Sequence, residues 1–292
     1  MYRFNRNMLQ KSAGLVLMLF CLVSAKAQTI DAYSHQAEYG FSVGLGHYFG
    51  DLNTGMKINR PKFAGGVFFR KQINNYVGIK ISGNYTFLGY ADKYSSNPTE
   101  VQRNLSFNTN VWELSVSGDF NFFKFIPGFD EYRFTPYVSL GVGVFSFDPY
   151  AYLNGQKYLL RPLGTEGQGS SLYPNKKPYS PVAMCIPFGV GMKYALNEKI
   201  NVFGEISYRF TNTDYLDDVS GTYAPDAFPP LPDGSPSPAY LLQDRSYETG
   251  SSIGIKGRQR GNSLQKDAFA TIQAGISFNI QSYRCPSSSG RF

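Results

Sequence analysis

The chain has 292 residues, with 28 Lys plus Arg against 21 Asp plus Glu, 17% charged residues and 16% Phe, Trp and Tyr. Aromatic content this high with so little charge excludes a disordered chain, and a mean hydropathy of −0.28 excludes a polytopic helical membrane protein, which needs about 20 apolar residues per span. Three Cys and two His leave little for a metal or disulfide framework, while 30 Gly, 22 Tyr and 24 Phe suggest an all-β chain, with a membrane barrel among the candidates.

Residues 1–27 read as a secretory signal peptide. Arg3, Arg6 and Lys11 form a basic start, Ala13 to Val23 an apolar stretch of 11 residues, and Ala25-Lys26-Ala27 a small-x-small cleavage site. Eleven residues are too few to span a bilayer. Phe20 before Cys21 is too large for lipoprotein processing. Removal takes away four bases and no acid, leaving 24 bases against 21 acids, so a nucleic-acid reading loses its main support. The mature chain keeps Cys185 and Cys285, as two free thiols in preference to a disulfide.

Eight segments then alternate with period 2, the signature of half-exposed strands. The first has Tyr39, Phe41, Val43 and Leu45 on one face, and the second Phe63, Val67 and Phe69, with Phe68 opposite. The third has Val77, Ile79, Ile81, Tyr85 and Phe87; the fourth Trp112, Leu114, Val116, Phe120 and Phe122 against Ser115, Ser117 and Asn121. Val138, Leu140, Val142 and Val144 mark the fifth, and Met184, Ile186, Phe188, Val190 and Met192 the sixth. Ile200, Val202, Ile206, Tyr208 and Phe210 mark the seventh, and Ala270, Ile272, Ala274, Ile276 and Phe278 the eighth.

The connections alternate too. Short ones lie around Asn74-Asn75, Pro127-Gly128 and Leu196-Asn197-Glu198; long ones span roughly 50–61, 89–104, 146–181 and 211–266. Short turns inside and long loops outside define an outer-membrane barrel, whereas a secreted β-sandwich has no reason to sort its loops by end. The expected fold is an all-β, eight-stranded antiparallel up-and-down transmembrane barrel over 28–281, with periplasmic termini and a short tail at 282–292. Tyr76, Phe120, Phe122, Tyr132, Phe134 and Tyr194 would form one aromatic girdle, and Tyr48, Phe63, Tyr85, Phe87, Tyr208 and Phe210 the other.

The inward parity collects Glu38, Arg70, Lys80, Glu113, Asp119, Lys193, Glu205 and Arg209, four acids and four bases. Buried charges need partners, so an ion-pair network that plugs the barrel is expected, in preference to an ion path.

The loop after the seventh strand holds Pro225, Pro229, Pro230, Pro232, Pro236 and Pro238, which favour an extended, semi-rigid chain. Asp214, Asp217 and Asp218 supply oxygens of the kind Ca²⁺ binds, but without EF-hand spacing; turn and cap chemistry is the simpler reading. His47 shares parity with the outward residues and so points away from Ser42, which argues against a Ser-His pair. His35 has no evident partner. No Walker loop, paired-Cys zinc site or nucleophile elbow is present, so neither enzymatic activity nor a cofactor is expected.

Three segments together resemble the PorG-type outer-membrane barrel of the type IX secretion system. They are Tyr48-Phe49-Gly50-Asp51-Leu52-Asn53, the run Thr213-Asp214-Tyr215-Leu216-Asp217-Asp218-Val219-Ser220-Gly221-Thr222-Tyr223, and Arg258-Gln259-Arg260-Gly261-Asn262. The resemblance implies an accessory barrel without enzymatic role, held in outer-membrane lipid. It implies association with the periplasmic ring lipoprotein and its partner protein, with the outer-membrane translocon as a further contact. The docking face would be the short turns: Asn74, Asn75, Pro127, Gly128, Asn197 and Glu198. The alternative is a barrel of other role, a small-solute pore or a surface-ligand binder.

Overall fold

The computed structural model describes residues 37–280. The expected signal peptide at 1–27, residues 28–36 with His35, residue 281, and the tail at 282–292 with Cys285 lie outside the described residues.

Eight long strands form the frame: β1 (Ala37–Phe49), β2 (Lys62–Gln72), β3 (Val77–Ala91), β4 (Ser106–Asn121), β5 (Phe134–Ser146), β8 (Val182–Ala195), β9 (Ile200–Thr211) and β10 (Ala268–Ile280). Two short ones, β6 (Tyr150–Leu153) and β7 (Gln156–Leu159), lie in the β5–β8 connection. Each long strand pairs antiparallel with its neighbour in the chain, and β1 pairs with β10 from Ala37↔Ile280 to Phe49↔Ala268. The cylinder is therefore closed and has no free edge. No helix among the described residues is long and apolar enough to cross a membrane, which says nothing of strands.

Alternation sets the two surfaces. Phe41, Val67, Ile81, Leu114, Val142, Val190, Ile206 and Ile272, one from each long strand, are all exposed on the outer wall. A continuous apolar wall of this kind exceeds what a water-soluble monomer shows and matches contact with lipid. Aromatic side chains border it. Tyr76, Phe120, Phe122, Phe134 and Tyr194 are exposed toward the short turns, and Phe63, Trp112 and Phe210 toward the long loops.

Tyr48 departs from the expected girdle. It is 1% exposed, because its even position faces inward with Glu38 and Ser42. Its ring meets Phe107 edge-on at 4.7 Å.

The apolar core sits at the long-loop mouth, outside the barrel lumen. Leu52, Leu88, Leu105, Phe107, Phe147, Leu153, Leu160, Leu216 and Leu242 pack into one cluster there. The long loops therefore fold as a cap, in contrast to the extended chain that the prolines suggested. Strands β3 and β4 run on to Ala91 and from Ser106, pairing Ala91↔Ser106, and carry Leu88 and Phe107 into this core. The β6–β7 hairpin turns at Asn154-Gly155, both at positive φ (51° and 79°), the conformation a two-residue I′ turn needs. Three short helices complete the cap: α1 (Pro98–Arg103), α2 (Leu160–Leu163) and α3 (Pro238–Gln243). Asn97 caps α1 by accepting from Thr99 N–H, and Ser237 caps α3 by accepting from Tyr240 N–H.

Candidate functional site

The interior charges come together as a ladder. Register places Glu38 beside Arg70 and Arg70 beside Lys80. Arg70 contacts Glu38 and donates through Nε to Asp119 at 2.6 Å. Lys80 Nζ lies 3.9 Å from Asp119 and 2.9 Å from Glu205. Nearer the long-loop mouth, Arg209 Nε donates to Glu113 at 3.0 Å across the lumen. Tyr137 lays its ring over Gly191, where any Cβ would clash, and its hydroxyl donates to Glu205 at 2.8 Å. A cavity of about 30 Å³ lies among Arg70, Lys80, Glu113, Glu205 and Arg209, room for a water or two.

Lys193 corrects the expected pairing. Its ammonium has no hydrogen-bond partner and lies over the rings of Tyr137 at 4.8 Å and Phe125 at 5.4 Å. Arg70 donates to Asp119 and Lys80 to Glu205, and the Lys193 ammonium lies against ring faces that attract it through their quadrupoles.

At the other end the three sequence segments that were separate in the chain meet. Tyr48 Oη donates to Asp217 Oδ2 at 2.5 Å and lies 3.1 Å from Asp267 Oδ1. Asp51 Oδ2 accepts the N–H of Asn262 at 2.9 Å, and Gly221 O accepts the N–H of Arg260 at 2.7 Å.

Two arginines tie all four long loops. Arg103 pairs with Asp92 at 2.7 Å and donates to the carbonyls of Asp51 at 2.8 Å and Arg260 at 2.6 Å. Arg260 donates to Glu166 at 3.2 Å and to the carbonyls of Gln243 at 3.0 Å and Asp218 at 2.5 Å. Glu166 also accepts the N–H groups of Ser220 and Gly221 at 2.9 and 3.0 Å. Arg103 and Glu166 carried no sequence motif that marks their role; the Asn97-x-x-Glu100 spacing could have flagged the helix that presents Arg103.

The acidic run is buried in this clamp. Asp214 accepts from Ser220 at 2.5 Å. Tyr215 stacks on Tyr179 at 4.5 Å, Leu216 and Val219 are buried, and Asp217 caps its own turn through Val219 N–H at 2.9 Å. Asp218, at φ 68°, accepts from Thr165 at 2.5 Å and Tyr179 at 2.7 Å. The three carboxylates thus face three different sets of protein donors. Among the described residues, no group of three or more His, Cys, Asp or Glu side chains could hold a metal ion.

Burial dominates the electrostatics. It pushes Asp218 up to about 6 against the pull of Arg260, Thr165 and Tyr179. It pushes Asp51 to about 6 as well, opposed by Asn262 N–H and Arg103 and assisted by the charge of Asp214. Asp217 and Asp267 rise well above the usual range through burial and neighbouring carboxylates. Cys185 is a free, buried thiol. His47 is buried by stacking on Phe49 at 5.3 Å and Tyr90 at 6.0 Å.

Beside the clamp opens a cleft of about 340 Å³, lined by Asp51, Thr54, Glu100, Arg103, Tyr223, Arg258, Arg260 and Asn262 among others. Tyr223 is buried there with a hydroxyl that has no partner, and burial lifts it to about 12.

At the short-turn end, Asn74 Oδ1 closes its turn by accepting from Tyr76 and Val77 N–H, both at 2.8 Å. Asn197 does the same for Lys199 and Ile200 at 2.8 and 2.9 Å. Asn75 O accepts from Phe125 N–H at 3.4 Å. Pro127 is buried and offers no docking surface, beside Ile126, whose N–H donates to Tyr132 O at 3.0 Å within the β4–β5 connection. Gly128, at φ 97°, makes room for the Glu198 side chain, which would sit 2.6 Å from a Cβ there. Gly128, Phe129, Arg133, Leu196, Asn197 and Glu198 line a cleft of about 190 Å³, with Phe129 and Leu196 more than half exposed at 58% and 56%.

The molecule is thus a closed eight-stranded antiparallel barrel with an apolar outer wall, a charge-filled interior and a folded cap. The chain belongs to the family described as a domain of unknown function, DUF6089, whose model matches residues 13–228. No curated protein matches the sequence. Among solved structures it is similar to Neisserial surface protein A, at 9% identity and a TM-score of 0.40, over 84% of this chain and 97% of that one. It is similar to Ail of Yersinia pestis, solved with the heparin analogue sucrose octasulfate, at 11% identity and 0.37 over 84% and 99%. OprG of Pseudomonas aeruginosa aligns at 10% identity and 0.36 over 86% and 98%. At these scores the fold assignment rests on the strand pairing itself.

Proposed function

We propose that the protein is a non-enzymatic outer-membrane barrel that anchors or organises type IX protein secretion machinery. In this reading the apolar wall fixes the barrel in lipid, and the short-turn end, facing the periplasm, docks the ring lipoprotein and its partner. The observation that carries it is the 190 Å³ cleft between the β4–β5 and β8–β9 connections, flanked by exposed Phe129 and Leu196. An aromatic anchor beside a pocket is the usual form of a binding hot spot. The resemblance of the three cap segments to the PorG-type barrel supplies the partner class. Photo-cross-linkers at Asn75 and Asn197 in the full chain test it: capture of secretion-ring components is expected, and capture of none counts against the assignment.

A second reading, a surface-ligand-binding barrel, is favoured by the 340 Å³ cleft and its unpartnered Tyr223 hydroxyl. Loss of function on shortening the cap, with ring capture absent, would select it. A small-solute pore is disfavoured by the ion pairs that cross the lumen, which leave a cavity of about 30 Å³ among them, and planar-bilayer recordings are expected to stay closed.

A further inference from the structure

Most arginines of the barrel and cap lie in ion pairs, but one rim of the barrel gathers cations that have none. Lys57 and Arg60 belong to the β1–β2 connection, Lys62 opens β2, and Lys93 follows β3. No carboxylate among the described residues forms an ion pair with any of the four. The acids of these two connections are engaged elsewhere. Asp51 accepts from Asn262 N–H, Asp92 pairs with Arg103, and Glu100 Oε1 accepts from Thr54 at 2.8 Å and Asn97 at 3.3 Å, while its buried Oε2 makes no hydrogen bond.

Three of the four meet at Tyr94, while Lys62 Nζ donates to Asn108 at 3.1 Å and Lys57 also donates to Ser96. The Arg60 guanidinium lies 3.9 Å from its ring centroid and the Lys93 ammonium 5.3 Å from the same point. Lys57 Nζ donates to Tyr94 O at 3.1 Å. Four cations with no ion-paired carboxylate make this rim locally positive, and such a patch attracts an anion.

Their height says where that anion comes from. Phe63, Tyr85 and Trp112 form a row of aromatic rings on the outer wall, with centroids 6.3 and 4.8 Å apart in sequence. Lys62 Nζ lies 4.4 Å over Phe87, the next outward ring of β3 beyond Tyr85. Aromatic rows mark the membrane interface, and the layer immediately above is where lipid phosphates lie. Exposed Met56 and Ile58 on the same connection add apolar contact.

We infer that Lys57, Arg60, Lys62 and Lys93 form a binding site for the phosphate of an outer-leaflet lipid headgroup. The inference rests on the membrane reading above, with the long-loop end at the outer leaflet.

Native mass spectrometry of the full chain in neutral detergent tests it. The probes are a diphosphorylated glucosamine-disaccharide lipid, the same lipid with both phosphates removed, and inorganic phosphate. The phosphorylated lipid is expected to bind at least tenfold tighter than its dephosphorylated form. The variant R60Q/K93Q should lose that difference, and K157Q/K177Q, on the β5–β8 connection, should keep it. Equal binding of the two lipids, or a difference that survives in R60Q/K93Q, overturns the site. Displacement of the lipid by inorganic phosphate at low millimolar concentration overturns the lipid assignment in favour of a free-anion site. Heat-modified gel migration reports folding of each variant, and the wild-type comparison decides even where a variant misfolds. Failure of the membrane reading has its own signature: a chain that stays folded and dissolved without detergent.

Discussion

The hydroxyl of Tyr48, on the first strand, donates to Asp217 at 2.5 Å across 169 residues of chain. Asp267 lies 3.1 Å from the same oxygen. A phenol has one proton to give, so two ionised carboxylates cannot both be served. Burial and neighbouring carboxylate charge raise both Asp217 and Asp267, so the two carboxyls compete for the single phenol proton, with Asp217 the nearer acceptor.

Replacing Tyr48 with Phe removes that link while keeping the ring on Phe107. Buried acceptors left without a donor cost about 1–3 kcal/mol. The cap is expected to loosen while the strands stay paired. Protease cuts within 211–266 should appear several-fold faster, with heat-modified migration unchanged; equal cutting rates would show that the link does not hold the cap down.

The Glu166–Arg260 pair is buried on both sides, at 1% and 2%. Removing one partner of such a pair costs about 3–5 kcal/mol, because the other charge stays buried. Glu166→Gln and Arg260→Met should each open the cap more than Tyr48→Phe. The double variant should cost less than the two singles together. Additive losses, read by limited proteolysis or hydrogen exchange of the loops, would show that the two groups act independently.

The cap should be more stable in mild acid. Asp51 and Asp218 sit at about 6 against about 3.9 in an unfolded chain, so between those values the folded cap holds protons that the unfolded loops release. This contribution to stability is fully present below about pH 4 and is lost as pH rises through about 6, by at most about 1.4 kcal/mol for each carboxyl per pH unit crossed. The charges facing them are Asp214, Arg103 and Asp217 for Asp51, Arg260 for Asp218, and Glu166 for both. Loop protection from exchange is expected to be greater at pH 5 than at pH 7.5, and Asp218→Asn to flatten the difference. Greater protection at the higher pH would contradict the assignment.

Lys193 buries a charge with only ring partners. Lys193→Met removes the desolvation cost and keeps the volume. Urea unfolding from lipid vesicles should show an unchanged or higher midpoint. A clear fall would mean that the contacts with Tyr137 and Phe125 outweigh the cost of burying the charge.

Much of the barrel was legible in one dimension, because each strand reports its two environments residue by residue. Phe41, Leu114 and Ile206 alternate with Ser42, Ser115 and Ser207, and no knowledge of neighbours is needed to read that period. The inward charges followed from the same parity. The β6–β7 turn at Asn154-Gly155 and the caps at Asn97 and Ser237 carry local signals as well, but reading 89–104, 146–181 and 211–266 as long loops passes over them. The folded state of the long loops was hidden by prolines that turn out to begin short helices and turns, as at Pro98 and Pro238.

What the sequence determined alone was therefore the closed cylinder: its strands, its greasy wall, its charged lumen and the sorting of loops by end. What only the tertiary structure decided was which charges meet, that Lys193 is left over, that Tyr48 turns inward, and that three distant segments close one clamp. The physical reason is range. Periodicity is set by each residue's own surroundings. The clamp depends on contacts such as Tyr48–Asp217 and Arg103–Arg260, whose partners are brought together only once the barrel has fixed its strand ends.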